Sequence, residues 1–295
     1  MEISNSEKAG SDVVREWRYD VAFSRHYGLI SKAEQELLRR ARIAIAGMGG
    51  VGGAQLMTLV RLGIGGFNIA DPDVYEVANF NRQYGATTSS IGRSKAQVMA
   101  DLAWEVNPEV ELKVFEEKIE ESNVDRFLDG VDLVIDGLDI MAIDTRRVLF
   151  RAAARHSIYA VTAGPIGFAS AILIFDPNGM AFDDYFDLRD SQDEVGKMLR
   201  FGVGISPSPT HLPYMSQVSI KGRNGPSLGL AINLCAAMTA TEVTRILLHR
   251  GKPKCVPHYS QFDPYRRTYR RGYVPWGNRN PIQRFKLWLA RRRYV

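Results

Sequence analysis

Residues 42–95 contain, in order, the groups that a nucleotide site needs. An apolar run, 42–46, leads into the segment Gly-Met-Gly-Gly-Val-Gly, whose glycines are Gly47, Gly49, Gly50 and Gly52. A strand that ends in such a loop and continues as a helix points several backbone N–H groups and the positive end of a helix dipole at one place, so it predicts phosphate binding. Asp71 ends the next apolar run, where a carboxylate usually accepts hydrogen bonds from a ribose hydroxyl. At this point NAD, FAD and ATP are all compatible ligands.

Two cations downstream of Asp71 favour a triphosphate over a nicotinamide ring. Arg82 belongs to the polar run 79–83, which also holds Asn79, Asn81 and Gln83. Lys95 opens a predicted helix thirteen positions later. The alternative is solvated surface charge, the usual environment of Lys and Arg. The polar run and the helix start make that alternative the weaker one, so the set predicts ATP.

With these motifs the chain resembles the ThiF/MoeB/HesA adenylyltransferases, which are relatives of the ubiquitin-activating enzymes. The resemblance covers roughly residues 18–250, and the matching stretches are 47–52, 71–83, 92–95 with the pair 107–108, and 134–139. It implies an ATP- and magnesium-dependent enzyme that activates a substrate carboxylate as an acyl-adenylate. It also implies a small molecule, a peptide or the C-terminus of a small carrier protein as the substrate.

The same resemblance assigns candidate roles to individual residues. Asp139 would coordinate Mg²⁺ and would act with Arg82 and Lys95 in catalysis. Arg25, in Phe-Ser-Arg-His, would reach the ATP of a partner subunit, which implies a homodimer; Arg18 is a weaker candidate for that role. The residues expected around the nucleotide are Gly47, Gly49, Gly50, Gly52, Asp71, Asp73, Asn79, Asn81, Arg82, Gln83, Lys95, Leu138 and Asp139.

Three other functions compete with this hypothesis. A branch resembling the tRNA threonylcarbamoyladenosine dehydratases activates a carboxylate on tRNA and lets it cyclise, and an arginine-rich C-terminal segment suits it. An NAD- or FAD-dependent oxidoreductase on the same fold is disfavoured by Arg82 and Lys95. An inactive nucleotide-binding subunit is disfavoured by the intact set from Gly47 to Lys95 together with Asp139.

The two cysteines, Cys235 and Cys255, limit the possible disulfide, zinc and thioester chemistry of the chain. Two cysteines in 295 residues argue against a disulfide framework and predict a reducing, cytoplasmic location. The zinc site of many relatives needs two Cys-x-x-Cys pairs, which the chain lacks, so no structural zinc of that kind is expected. Cys255 follows Lys252 and Lys254, and nearby cations favour a thiolate. It is therefore the better candidate for a thioester, although the hypothesis as a whole does not require one.

The elements that must position these groups follow from apolar periodicity. Strands are predicted at 42–46, 66–71, 111–115, 131–136, 158–162 and 169–175, and helices at 31–40, 51–63, 93–106, 144–155, 225–248 and 281–293. Such alternation predicts an α/β, Rossmann-like doubly wound fold, with a mainly parallel sheet and additional C-terminal strands. The ligand would lie at the carboxyl ends of the strands.

Three segments are expected: an N-terminal helical arm at 1–40, an adenylation domain at 41–263 and a basic aromatic tail at 264–295. Within the domain, the acidic stretch 183–208 predicts a long mobile crossover loop. The tail contains ten Lys and Arg and no acidic residue, in a chain whose net charge is +5. The tail predicts contact with RNA or an anionic membrane, or else an arm that wraps a neighbouring subunit.

Overall fold

Apolar runs form the centre of an eight-stranded sheet in this computed structural model, which describes residues 16–210, 212, 214 and 226–294. The strands are β1 (Arg42–Ala46), β2 (Gly66–Ala70), β3 (Glu111–Phe115), β4 (Leu133–Asp136), β5 (Tyr159–Ile166), β6 (Ala169–Phe175), β7 (His258–Asp263) and β8 (Thr268–Tyr273). Their order across the sheet is β3-β2-β1-β4-β5-β6-β7-β8. The first five strands are parallel, and β6, β7 and β8 join antiparallel. The predicted Rossmann-like, mainly parallel sheet with C-terminal strands is confirmed.

Helices cover both faces of the sheet, and each face has its own apolar core. One core joins β1 and β2 to α2 (Lys32–Arg40), α3 (Gly50–Arg61), α4 (Lys95–Val106) and α9 (Gly229–Leu247). The other contains α5 (Val124–Phe127), α6 (Ile143–Arg155), α7 (Phe182–Phe186) and α8 (Glu194–Ile205). The short helix α1 (Tyr19–Ala22) precedes α2, and α10 (Pro281–Tyr294) packs on α8.

Local sequence signals set the helix ends. Ser31 and Glu34 form a capping box at the start of α2. The Ser31 hydroxyl accepts from the Glu34 N–H at 3.2 Å, and the Glu34 carboxylate accepts from the Ser31 N–H at 2.8 Å. Ser94 caps α4 by accepting from the Gln97 N–H. This cap makes Lys95 the first helical residue, so its position is fixed by the helix start.

The acidic stretch 183–208 is mostly helical, where its composition predicted a long irregular connection. Helices α7 and α8 occupy most of it, and Phe182, Tyr185, Phe186 and Phe201 are buried beneath them. The acids Asp183 and Asp187 form ion pairs with arginines. The segment is therefore part of the packed structure.

The boundary predicted at 263/264 falls inside a β-hairpin. Strands β7 and β8 pair from His258 with Tyr273 to Asp263 with Thr268. Beyond β8, the Asn278 amide is fully buried and donates to the carbonyls of Phe186 and Arg200 at 3.0 and 2.8 Å. The start of the predicted tail is thus an integral part of the sheet and of its helical layer.

Within the described residues, α9 is the one helix long and apolar enough to cross a membrane. A core helix meets the same criterion, and α9 packs between α3 and strands β5 and β6. The Gln55 amide donates to the Thr239 hydroxyl at 3.0 Å at this contact, and the Ser170 hydroxyl donates to the Cys235 sulfur at 3.1 Å.

Candidate nucleotide site

Two glycines of the loop after β1 are required by close backbone packing. Gly47 has φ +90° and its N–H donates to the Ala70 carbonyl at 2.7 Å. A Cβ on Gly47 would lie 2.4 Å from the Gly137 oxygen, and one on Gly52 would lie 1.8 Å from the Gly47 oxygen. The loop after β1, the start of α3 and the end of β4 therefore meet without intervening side chains.

Gly49, in contrast, is not enclosed by backbone. A Cβ there would lie 3.6 Å from the Gln83 side-chain nitrogen, an ordinary van der Waals distance. Gly49 is the N-cap of α3, so it lies at the positive end of that helix. Such a helix start, with no side chain at the cap, suits the binding of an anion.

A relay of hydrogen bonds joins the glycine loop to Lys95. One oxygen of Asp71 accepts from the Met48 N–H at 2.7 Å, and the other accepts from the Asp73 N–H at 2.9 Å. The Asp73 carboxylate in turn lies 3.1 Å from the Lys95 ammonium, which is 7% exposed. Burial raises the pKa of the Asp71 carboxyl, against the lowering effect of the two N–H donors and of Lys95.

The polar run 79–83 folds over the start of α9. Asn79 accepts from the Glu76 N–H at 2.9 Å, while Asn81 donates to the Ser227 carbonyl at 2.9 Å. The half-buried Arg82 donates to the Ala78 carbonyl and to the Asn81 side chain, at 2.8 and 3.0 Å. Behind them, a Cβ on Gly50 would lie 3.3 Å from the Arg82 carbonyl. The run is therefore adjacent to the glycine loop.

Asp139 lies beyond β4, at the same edge of the sheet. Gly137 donates to the Ala46 carbonyl at 2.8 Å, which holds the exit of β4 against the exit of β1. The Asp139 side chain is exposed and accepts from the Met141 N–H at 2.9 Å. Among the described residues, no group of three or more His, Cys, Asp or Glu could hold a metal ion.

Arg146 organises this loop and was not identified from the sequence. Its guanidinium donates to Asp136 at 2.6 Å and to the carbonyls of Leu138 and Asp139 at 2.7 and 3.1 Å. Asp136 also accepts from the Thr162 hydroxyl at 2.7 Å. A signal was available: Arg146 follows Ile143 by three positions on α6, with Phe150 a turn later, which is the spacing of an inward-facing helix position.

Arg25 lies away from the other candidates. It is exposed in the 3₁₀ turn Ser24–His26, and the neighbouring Tyr19 hydroxyl donates to the Gly63 carbonyl at 2.5 Å. Gly63 follows α3, whose twelve residues span about 18 Å from the glycine loop at 1.5 Å per residue. Arg18 is also exposed and pairs with Asp20. Within one chain, neither arginine is part of this site.

The environment of Cys255 does not favour a thiolate, contrary to the expectation from its lysine neighbours. Burial, followed by the negative charges of Asp176 and Glu242, raises the pKa of Cys255 to about 12. Burial likewise raises the pKa of the fully enclosed Cys235 to about 12. Both thiols are protonated at neutral pH, which makes them weak nucleophiles.

The parallel sheet, the glycine loop and the acid after β2 define a nucleotide-binding protein of the Rossmann-like class. The ThiF family model matches residues 23–281, and the chain belongs to that family.

Two curated relatives and one solved structure illustrate the similarity. The chain is 27% identical to a sulfur carrier protein adenylyltransferase of Thermus thermophilus over 248 residues, 84% of each chain. It is 35% identical to a tRNA threonylcarbamoyladenosine dehydratase of Haemophilus influenzae over 131 residues, 44% of this chain and 49% of the relative. The Escherichia coli dehydratase in complex with AMP superposes with a TM-score of 0.60 at 21% identity, covering 78% of this chain and 96% of that one. The chain spans about half the length of several of the curated relatives that it matches.

Proposed function

We propose that the chain is an ATP-dependent adenylyltransferase that activates a substrate carboxylate. The observation that carries the proposal is the glycine loop at the positive end of α3, which hydrogen bonds through Asp71 and Asp73 connect to Lys95. A loop that binds phosphate and a buried cation nearby suit the polyphosphate of ATP. The names of the relatives, adenylyltransferase and dehydratase, and the AMP bound to one of them support this assignment.

The proposed reaction forms one bond and breaks another at the α-phosphorus. A carboxylate oxygen of the substrate attacks, the bond to the bridging oxygen breaks, and pyrophosphate leaves with that electron pair. The carboxylate needs no general base, because its ordinary pKa near 4 leaves it ionised at neutral pH. The residues of the chain contribute positioning and charge neutralisation.

Each residue of the site has a proposed task. The amides of the loop 47–52 and the side chains of Asn79, Arg82 and Lys95 bind the phosphates, and Asp71 accepts from the ribose. The Lys95 ammonium would exchange Asp73 for phosphate oxygens. Asp73, Asn81, Gln83 and Leu138 complete the wall.

Asp139 is the proposed magnesium ligand. A single exposed carboxylate fits Mg²⁺, which usually takes one or two carboxylates and completes its coordination with water and phosphate. When bound, the ion neutralises negative charge on the phosphate oxygens.

The proposed active form is a homodimer in the cytoplasm. Arg25 is about the length of α3 away from the glycine loop of its own chain, so a role at ATP requires the site of a partner. A mixing experiment tests this arrangement. Arg25→Ala and Lys95→Ala should each be inactive alone and should recover activity when mixed, because a mixed dimer contains one intact site. Absence of recovery, with subunit exchange verified, would refute the shared site.

The substrate is proposed to be a small molecule, a peptide or the C-terminus of a small carrier protein. A carboxylate carried by tRNA is the second candidate, favoured by the relatives named as tRNA-modifying dehydratases and by the ten cations after Asp263. The same cations are also suited to bind a polyanionic surface at a place outside the catalytic site.

ATP–pyrophosphate exchange with candidate carboxylates tests the proposed activity. Lys95→Ala and Arg82→Ala should abolish exchange in a folded protein, while Asp71→Ala should mainly weaken nucleotide binding. Lys113→Ala is the matched control, because Lys113 is an exposed lysine on the outer strand β3 that also pairs with an aspartate, Asp129. Normal exchange by the Lys95 and Arg82 variants would refute the assigned roles. Selective binding of NAD without ATP would refute the adenylyltransferase itself.

A further inference from the structure

Two polar side chains of helix α10, Gln283 and Lys286, are turned toward the protein. Gln283 is 2% exposed and donates to the Val203 carbonyl of α8 at 3.4 Å. The half-buried Lys286 ammonium donates to the Pro207 carbonyl at 2.7 Å and to the Gln283 side chain at 2.8 Å. Burial lowers the pKa of Lys286 from its ordinary value. These hydrogen bonds fix which face of α10 contacts α8.

The face turned to solvent is apolar. It presents Ile282, Phe285, Trp288 and Leu289, which are 65, 59, 47 and 47% exposed. The rings of Phe285 and Trp288 stack with their centroids 5.8 Å apart. A helix that packs on its own protein usually turns its apolar side inward. An apolar stripe that is exposed instead normally marks a contact surface.

Cations border the stripe on the same helix, which contains no acidic residue. Arg284 lies on the helix between Ile282 and Phe285, and Arg291, Arg292 and Arg293 form the last turn. The Arg292 guanidinium lies 4.0 Å from the centre of the Trp288 ring. Apolar side chains with tryptophan on one face of a helix, bordered by arginines, are the composition of a helix that lies in a bilayer interface.

We infer that this face of α10 docks the protein on an anionic lipid bilayer, with the stripe in the acyl boundary and the arginines at the headgroups. The helix is fourteen residues, about 21 Å, which allows it to lie flat without spanning. The docking surface is distinct from the nucleotide site and goes beyond the proposed adenylation.

The observations favour a bilayer over RNA and over a second copy of the chain. Bases stack on aromatic faces, but Ile282 and Leu289 have none and Arg292 already covers the Trp288 ring. A second copy docking through the same stripe would leave the bordering arginines without an opposite charge, since α10 contains no acidic residue. Four side chains also provide much less than the roughly 800 Å² that each partner contributes to a stable interface.

Cosedimentation of the full chain with vesicles tests the inference. Phosphatidylcholine vesicles containing phosphatidylglycerol should bind the protein, pure phosphatidylcholine should not, and binding should weaken as salt increases. The double variant Phe285→Ser with Trp288→Ser should bind anionic vesicles at least about tenfold more weakly, since it removes two of the four inserted side chains. The double variant Arg291→Gln with Arg292→Gln should bind anionic vesicles with a weaker dependence on salt.

The matched control is Leu29→Ser with Val77→Ser, which removes two exposed apolar side chains from other surfaces and should leave vesicle binding unchanged. All variants change exposed side chains, and circular dichroism verifies that they are folded. The inference is overturned if the full chain does not bind anionic vesicles, or if the Phe285 and Trp288 variant binds like the unchanged protein. It is equally overturned if that variant alters tRNA binding or the oligomeric state and leaves vesicle binding intact.

Discussion

Replacing Arg146 by methionine should destabilise the protein by several kcal/mol. The guanidinium is 3% exposed and supplies three hydrogen bonds to the turn after β4, one to Asp136 and two to carbonyls. Methionine fills a similar volume but leaves the Asp136 side chain, 1% exposed, without its counter-charge. Removing one partner of a buried ion pair costs about 3–5 kcal/mol, because the other charge stays buried and unpaired.

Urea unfolding followed by circular dichroism measures this loss. Arg151→Met is the control, because Arg151 lies on the same helix and pairs with Asp183 but is 46% exposed. Its loss should cost at most about 1 kcal/mol, the usual value of an exposed ion pair.

A double variant isolates the reason for the effect. Asp136→Asn combined with Arg146→Met removes both charges, so it should be more stable than Arg146→Met alone, which a cycle of single and double variants would show as a coupling energy. A cost for Arg146→Met no larger than that of Arg151→Met would refute the reasoning, as would a double variant whose losses simply add. Arg146→Met should also slow ATP–pyrophosphate exchange, because it releases the turn that carries Asp139.

Three further predictions follow from single contacts. Gly52→Ala should prevent stable folding, since its Cβ would lie 1.8 Å from a backbone oxygen. Gly49→Ala should change the free energy of unfolding by no more than about 0.5 kcal/mol, since its Cβ would have no neighbour closer than 3.6 Å, and should weaken ATP binding by placing a methyl group at the helix start. Thermal melts and nucleotide titration distinguish the two variants. The pKa of Glu34 is lowered to about 2 by the hydrogen bond from Arg250. This pair therefore stabilises the protein above pH 4.5, and the stabilisation is lost as the pH falls toward 2. The unfolding midpoints of Glu34→Gln should approach those of the unchanged protein over that pH interval. Cys255, with its pKa raised to about 12 by burial, should resist alkylation in the native protein at neutral pH and react once urea unfolds it, and Cys255→Ala should retain exchange; rapid native labelling would contradict this environment.

The parts of the fold that the sequence predicted are those in which a local pattern has one physical solution. Continuous apolar runs such as 42–46 and 66–70 are buried on both faces of a parallel sheet. The Ser31 and Glu34 spacing permits a capping box and little else. A glycine loop between a strand and a helix likewise indicated a nucleotide-binding class, which the family match supports.

The sequence did not distinguish the glycines of that loop from one another. Gly47 and Gly52 are needed for backbone packing against the turn after β4, nearly ninety residues away. At Gly49 a Cβ would make only an ordinary contact with the Gln83 side chain, so packing does not require a glycine there and we assign it to phosphate binding. The difference depends on tertiary contacts, so a motif alone could not separate the packing role from the binding role.

Composition failed for 183–208 because it does not show which acids of the stretch pair with cations in the folded chain. Asp183 and Asp190 both pair with Arg147, which is buried on α6, and Asp187 pairs with Arg200. A count of carboxylates treats these groups as solvated. The local signal of a helix is the spacing of Phe182, Tyr185 and Phe186, since aromatic residues three and four positions apart lie on one face of a helix.

Helix α6 links this segment to the turn that carries Asp139. On one side of α6, Arg146 holds that turn and its guanidinium also lies 4.4 Å from the centre of the Phe201 ring on α8. One residue on, Arg147 pairs with Asp183 and Asp190, and the Lys197 ammonium of α8 lies 2.7 Å from Asp144. Lys197 is nearly buried, so separating α8 from α6 would remove the Asp144 partner of its ammonium and also the contact between Arg146 and the Phe201 ring. The turn at Asp139 and helices α7 and α8 are therefore held in one arrangement, and displacement of either one must be opposed by the contacts of the other.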